Sequence, residues 1–450
     1  MLLSVAYGCS NFIEKEVNFM AGSTQGRKHA IAPGASTGSE SPLRICLFTY
    51  RGNPTCGGQG VYTKRLGRAL ADLGHKVDVV SGPPYPVLDN DITLHKLPSL
   101  DLYNPDDLFR VPSLKELTSP VNFIEWLGVS SGGFPEPFTS GIRVWNFMRK
   151  NARNYDIFHD NQCLAYGLLG IQAIGVPTVA TIHHPMTVDR DVEVRSEKVW
   201  WKKLKVRRWY SFINMQKRVS RRLSHIITVS EASRDDISRQ FAIPPYRFRV
   251  VANGINTDIF HPVEGIEREE NQIMVTNSAD TPLKGLRYLI EAVASIRRYR
   301  DVTLTVIGKP KKDGVIDQLV NGLGARDFIT FTGRISDDDF ARYYARTTMA
   351  VVPSLYEGFG LPAGEAMACR VPVISTTGGA LPEVVGDAGV LVEPGDALAL
   401  EQAIVDLLEN PGKRDALAKA GYDRVKRHFT WSNTAQNVVD VYREAIGAHC

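Results

Sequence analysis

At 450 residues the chain is too long for one ordinary hydrophobic core and fits two or three domains. Apolar residues at 43% and charged ones at 23% describe a soluble globular protein, and a formal net charge of +4 is too slight on this length to argue for nucleic acid. The six cysteines, Cys9, Cys46, Cys56, Cys163, Cys369 and Cys450, form no CxxC pair and no Cys/His cluster; neither a zinc site nor a disulfide scaffold is indicated, and reduced cysteines in a cytoplasmic protein are the simplest reading.

Residues 1–42 differ from the rest. Glu14 and Glu16 interrupt their one apolar part, which leaves no signal-peptide core, and Ala21 to Ser41 is rich in Ser, Gly and Ala without periodicity. A disordered extension is expected there, with Met20 an equally plausible start. No apolar run approaches the roughly 20 residues that span a bilayer.

From Leu43 the pattern turns regular. Ile45 to Tyr50 is a buried-strand run, Cys56 to Tyr62 a glycine turn, Val61 to Leu73 has helical spacing, and Val77 to Val80 is the next strand: a βαβ opening. Gly57-Gly58-Gln59-Gly60 lies between strand and helix, where backbone N–H groups can cradle an anion. It is no nicotinamide fingerprint, because no third glycine falls where GxGxxG needs it and the second strand ends in Ser81-Gly82 instead of an acid. Strand candidates at Ile157 to His159, Thr178 to Ile182 and Ile226 to Val229 alternate with helical stretches, so an α/β fold with a parallel sheet covered on both faces is expected. His183 and His184 follow a strand and so stand at the carboxyl edge of that sheet, the usual functional edge.

Arg195 to Arg222 is strongly basic, with Glu197 its single acid, and is interleaved with Trp200, Trp201, Leu204, Trp209, Tyr210 and Phe212. Three readings stand: a surface for anionic membrane or an anionic acceptor, a packing helix with core aromatics and solvated charges, or a nucleic-acid contact. Asn253-Gly254 then closes a first domain expected over 43–260.

A second series of strands follows at Gln272 to Thr276, Thr303 to Ile307, Phe328 to Phe331, Met349 to Val352, Val371 to Ile374 and Val390 to Val392, with a domain expected over 261–430. Lys284 opens a helix in it, where an ammonium can stabilise charge on a departing phosphate. Helical segments Ala397 to Leu408, Arg414 to His428 and Asn433 to Ala448 form the tail. Asp-x-Asp triplets at Asp89–Asp91, Asp189–Asp191 and Asp337–Asp339 arise easily by chance, and the last reads as an acidic helix start after Ser336, so no metal is assigned.

Pro353 to Glu383 carries the chemistry. It reads as strand end, glycine-bearing loop and helix start, with Glu357 in the loop and Glu365 eight residues on, in the opening turn of a helix that begins at Pro362. Gly358 and Gly360 between them allow backbone shapes closed to other residues. A helix N-terminus suits a phosphate and carboxylates accept from hydroxyls, so a ligand with both groups is implied. Gly378 and Gly379 form a second tight turn that can approach the same ligand.

The pattern SLYEGFGLPAGEAMA followed by PVISTTGGALPEVV resembles the donor-binding region of retaining glycosyltransferases of the two-Rossmann-domain (GT-B) type, in particular glycosyltransferase family 4. The resemblance implies two Rossmann-like domains facing across a cleft, with a last helix over 431–450 crossing back to the first. It implies Glu357 on the donor sugar, Glu365 on the ribose, and Gly358, Phe359, Gly360 and Leu361 beside the donor. Gly57 and Gly58 would face its phosphate across the cleft, Lys284 would hold that phosphate, and His183 would bind the donor sugar or orient the acceptor. The family usually has an arginine six residues before the lysine; here Ser278 stands there, with Asn277, Thr281 or Arg334 as candidate replacements. The function implied is transfer of a sugar from a nucleotide-diphosphate sugar to a hydroxyl of a glycan, lipid-linked or small-molecule acceptor with retention of configuration, without cofactor or metal. A non-catalytic sugar-nucleotide-binding protein, favoured by Ser278, and a phosphorylase or epimerase of the same fold are the alternatives.

Overall fold

The run Ile45 to Phe48 is apolar at every position, as a strand covered on both faces requires. In the computed structural model, which describes residues 41–53, 58–104, 107, 110–276 and 281–449, this run lies in β1 (Arg44–Thr49) at the heart of a parallel sheet. That sheet also contains β2 (Lys76–Ser81), β3 (Thr93–Lys96), β4 (Ile157–Asn161), β5 (Thr178–Ile182), β6 (His225–Thr228) and β7 (Phe248–Val250), in the order β3-β2-β1-β4-β5-β6-β7. A second sheet holds β8 (Gln272–Thr276), β9 (Thr303–Ile307), β10 (Ile329–Phe331), β11 (Met349–Val352), β12 (Val373–Thr376) and β13 (Val390–Val392), in the order β10-β9-β8-β11-β12-β13. All pairings within both are parallel.

Each sheet starts in its middle, grows to one side, then jumps back and grows to the other. The reversal falls between β1 and β4 in the first and between β8 and β11 in the second. Chains leaving two such neighbours part in opposite directions and open a crevice at the carboxyl ends, which is where ligands of doubly wound folds bind. Both faces of each sheet are buried. Phe48, Phe158 and Ile226 lie in one cluster of the first domain, with Ile45, Ile157 and Ile227 in another. Val351 and Ile374 answer Val352 and Val373 in the second.

The final helix, Trp431–Gly447, does cross back. Its Ala435, Val438 and Tyr442 pack with Leu66 and Leu70 of the helix Gln59–Asp72, and the Tyr442 hydroxyl lies 2.6 Å from His159 Nδ1. At the crossing, Ile255 N–H donates to Phe429 O at 2.7 Å, and a Cβ on Gly254 would meet Trp431 at 2.6 Å, which is why the Asn253-Gly254 turn needs glycine.

Four differences from the sequence reading matter. The edge strand β3 and the helices Pro120–Ser130 and Glu136–Asn151 between β3 and β4 were not anticipated. β12 begins two residues later than expected, and the glutamate-bearing helix runs Leu361–Ala368 with Pro362 in its first turn. The basic segment divides: Trp209, Tyr210, Phe212 and Ile213 are buried around Tyr103 and Phe134, whereas Trp200 is 72% and Leu204 52% exposed. The expected disordered stretch lies, up to residue 40, outside the described residues.

Candidate active site

The second sheet's reversal point brings two loops together. After β8 the chain makes a short turn, Pro282–Lys284, closed by Gly285 at φ 63°; after β11 it enters Pro353–Gly360. Leu355 N–H donates to Leu283 O at 2.8 Å, and Gly285 packs so closely that a Cβ there would stand 1.9 Å from Pro353 O. This stitching sets Lys284 Nζ 2.7 Å from Glu357 Oε1, an oxygen that also accepts from Ser354 Oγ at 2.8 Å. From the far side, Ala380 N–H donates to Glu357 O at 2.9 Å, and Gly379, at φ 65°, leaves only 2.3 Å between a hypothetical Cβ and that oxygen. The glycine turn thus clamps the Glu357 backbone.

Glu365 sits in the adjoining helix Leu361–Ala368, whose N-cap Gly360 has φ 101° and supplies no side-chain cap. Among the described residues its carboxylate has no hydrogen-bond or ion-pair partner. Burial pushes its pKa up to about 7, Lys284 pulls it down, and Asp337 pushes it further up. A half-buried carboxylate without a partner is an unfilled acceptor at the mouth of the crevice.

The first domain supplies the opposite wall. His183, directly after β5, is gripped by the end of β4: its backbone N–H donates to Gln162 Oε1 at 2.8 Å, and its Nε2 lies 2.8 Å from Asn161 Oδ1. Gln162 Nε2 also donates to His184 O at 3.1 Å, so this side chain replaces a strand neighbour on both sides of the turn. The Tyr62 ring stands edge-on to the His183 ring at 4.6 Å. Burial first, then His184 and His159, lower the His183 pKa to about 3. His184 titrates the other way: burial opposes its charge, but Asp189, 3.1 Å away, outweighs this and raises its pKa.

The two walls meet at Gly358. A Cβ there would lie 3.4 Å from His183 O and 3.6 Å from His184 Cβ. Its carbonyl accepts from Ser230 Oγ at 2.7 Å and Ser233 Oγ at 2.9 Å, both at the start of the first-domain helix Glu231–Phe241. Glu383 completes the latch by accepting from Glu231 and Ala232 N–H, each at 2.8 Å. A carboxylate on the free N–H groups and positive dipole end of a helix is a stabilising pair.

His183, Lys284, Glu357, Gly358 and Glu365 therefore come together. Gly58 caps the helix Gln59–Asp72 at φ 68° with open space where a Cβ would be. Phe359 turns its side chain into the core against Phe429, so only its backbone faces the loop, and Leu361 is 40% exposed. Gly57 and Ser278 lie outside the described residues. Asp91 is bound to Arg68 and Asp189 to His184, while Asp337–Asp339 open a helix capped by Ser336. Among the described residues no group of three or more His, Cys, Asp or Glu could hold a metal ion. The sequence reading missed Asn161, Gln162, Ser230 and Ser233, and named Glu383 only as the end of the stretch that carries the chemistry. Only the position of Asn161-Gln162 at a strand end pointed to them.

Residues 56–259 match the model of Glycosyltransferase Family 4 and residues 270–410 that of Glycosyl transferases group 1. The chain is 44% identical over 408 residues to an MMP alpha-(1->4)-mannosyltransferase of Mycolicibacterium hassiacum, covering 90% of this chain and 98% of that one. It is 26% identical to a D-inositol 3-phosphate glycosyltransferase of Salinispora tropica, over 91% of this chain and 86% of the relative. Among solved structures, sucrose-phosphate synthase from Thermosynechococcus elongatus superposes with a TM-score of 0.67 at 25% identity, covering 90% of this chain and all of that one. Anabaena HepE in complex with UDP and glucose shares the fold at a TM-score of 0.62 and 18% identity, over 88% of this chain and 98% of that one.

Proposed function

The chain belongs to glycosyltransferase family 4, the group 1 glycosyl transferases, and from that premise we propose that it transfers a mannosyl unit from a nucleotide-diphosphate sugar to an acceptor hydroxyl with retention of configuration. The observation that carries this reading is the Lys284–Glu357 ion pair at the second sheet's reversal point, with Glu365, which has no partner among the described residues, beside it. On donor binding Lys284 exchanges its carboxylate partner for the diphosphate, Glu365 accepts from the ribose hydroxyls, and Glu357 is released to a hydroxyl of the sugar. As the bond from the anomeric carbon to the phosphate oxygen breaks, the acceptor oxygen bonds to that carbon on the same face. Its proton passes to the departing phosphate. Lys284 opposes the charge that develops there, a contribution of several kcal/mol in a preorganised site. No enzymic nucleophile takes part. Mannose is chosen because the 44% identical relative is named for it; the acceptor is a glycan, a lipid-linked sugar or a small molecule.

The exposed start of the helix Trp200–Trp209 completes the proposal. Trp200, Trp201 and Leu204 stand out among Lys202, Lys203 and Lys205, a combination suited to an anionic membrane surface. No helix among the described residues is long and apolar enough to cross a membrane.

A thermal-shift comparison of GDP-mannose and UDP-glucose, followed by assay of nucleotide release, tests the reading. Ligand at 100 times its dissociation constant adds about 2.7 kcal/mol. Absence of both stabilisation and turnover with every sugar nucleotide tried would refute it.

A further inference from the structure

The hydrogen bonds behind His183 determine which of its nitrogens is free. Thr63 Oγ1 donates its one proton to Gln59 O at 2.9 Å. The same oxygen lies 3.0 Å from Asn161 Nδ2, which is also 3.0 Å from Gln59 O. Two acceptors therefore face this end of the Asn161 side chain, and only its NH₂ group satisfies both; a flipped amide would set Oδ1 against a carbonyl oxygen. The carbonyl end, Oδ1, is thereby aimed at His183 Nε2 at 2.8 Å, and a carbonyl oxygen can only accept. The His183 proton must sit on Nε2. Its Nδ1 has no hydrogen-bond partner among the described residues.

We infer that Asn161 is a positioning residue that locks His183 in the Nε2–H tautomer, presenting a bare Nδ1 that accepts a hydrogen bond from a hydroxyl of the substrates in the cleft. In this arrangement His183 is neither a general acid nor a cationic partner for phosphate. Gln162, holding the His183 N–H and the His184 carbonyl, fixes the backbone on which the ring turns. Identification of the hydroxyl as a substrate's rests on the transferase reading; the tautomer does not, and is measured on the free protein.

The test uses the full chain labelled with ¹⁵N-histidine, the His183 signals being assigned by their loss in His183→Gln. Between pH 5 and 8 the ligand-free protein is expected to show a protonated, pyrrole-type Nε2 and an unprotonated, pyridine-type Nδ1. A proton on Nδ1, or an imidazolium at pH 6, overturns the inference. The second arm is Asn161→Asp, assayed with whichever of GDP-mannose and UDP-glucose is turned over. A carboxylate beside Nε2 favours the imidazolium, so the rate should acquire an acid limb, falling about tenfold per pH unit below the new His183 pKa and recovering above it. The groups facing His183 are Tyr62, His159 and His184, and His184 in turn faces Asp189, Lys284 and Glu357. These are common to both proteins, so a limb seen only in Asn161→Asp reports His183 or the introduced carboxylate, and the ¹⁵N-histidine spectrum of the variant across that limb shows whether the proton enters the ring. A folded Asn161→Asp with the wild-type pH profile overturns the inference. If neither sugar nucleotide is turned over, the functional reading fails while the NMR arm still decides the tautomer.

Discussion

Glu365 offers the sharpest quantitative test. Burial moves its pKa from 4.5 to about 7 because the ionised form has lost water and has no hydrogen-bond partner among the described residues. Between those two values the folded protein holds a proton that the unfolded chain has released. Stability from this group is therefore present at low pH and is lost as pH rises from about 4.5 through about 7, by at most about 3.5 kcal/mol at about 1.4 kcal/mol per pH unit. Glu365→Gln keeps the shape and removes the titration. Relative to wild type, the variant should gain about 2–3 kcal/mol between pH 5 and pH 8, or roughly 5–10 °C in Tm for a domain of this size. Thermal unfolding of both ligand-free proteins across that range measures it. Nucleotide binding should show the converse in wild type: ribose hydroxyls need the ionised carboxylate, so affinity rises up to tenfold per pH unit toward pH 7 and then levels, whereas in Glu365→Gln it is weak and independent of pH. A stability difference between the two proteins that does not vary with pH would refute the argument.

Three further outcomes follow from the same geometry. Lys284→Ala should lower kcat by about 10²–10³, the range for loss of one preorganised charge-stabilising donor, while its partly exposed ion pair with Glu357 accounts for no more than about 1 kcal/mol of stability; near wild-type turnover would move the phosphate role to another residue. Gly285→Ala combines a φ of 63° with a Cβ 1.9 Å from Pro353 O, so it should cost more than the roughly 1–2 kcal/mol of left-handed strain alone and displace Lys284; unchanged Tm and turnover would show that the stitched loops are not what positions the lysine. Changing Lys202, Lys203, Arg207 and Arg208 together to Gln should release the protein from anionic vesicles and leave donor hydrolysis intact, each basic residue at the surface contributing on the order of 1 kcal/mol; sedimentation that ignores salt, or none with anionic lipid, returns the segment to a packed helix with a solvated face.

The strands of the second domain were legible almost residue by residue. β8, β9 and β11 have the bounds their apolar runs announce, since burial on both faces demands apolar residues at consecutive positions, and the partly buried edge strand β13 keeps its expected bounds as well. The Glu357 and Glu365 spacing was legible for a related reason: a tight glycine loop followed by a helix start is specified by residues close in the chain. The helix Pro120–Ser130 resisted such reading because it is built contrary to the usual polarity. Glu125 is only 1% exposed, sealed by the Leu100 N–H and the hydroxyl of Thr139, while Phe123 and Leu127 face outward at 45% and 53%.

What local sequence specified, then, was the identity and placement of elements and the cluster of chemistry within Pro353 to Glu383. Tertiary structure alone decided strand order, and with it the reversal points that bring Lys284 to Glu357, 73 residues away. It alone carried Glu383 to the N-terminus of Glu231–Phe241 and aimed Asn161 at His183. Such contacts join side chains whose local surroundings are unremarkable, so no propensity or periodicity records them. They exist because parallel strands return to the same edge after long crossovers, and at that edge side chains distant in sequence must satisfy one another's hydrogen bonds.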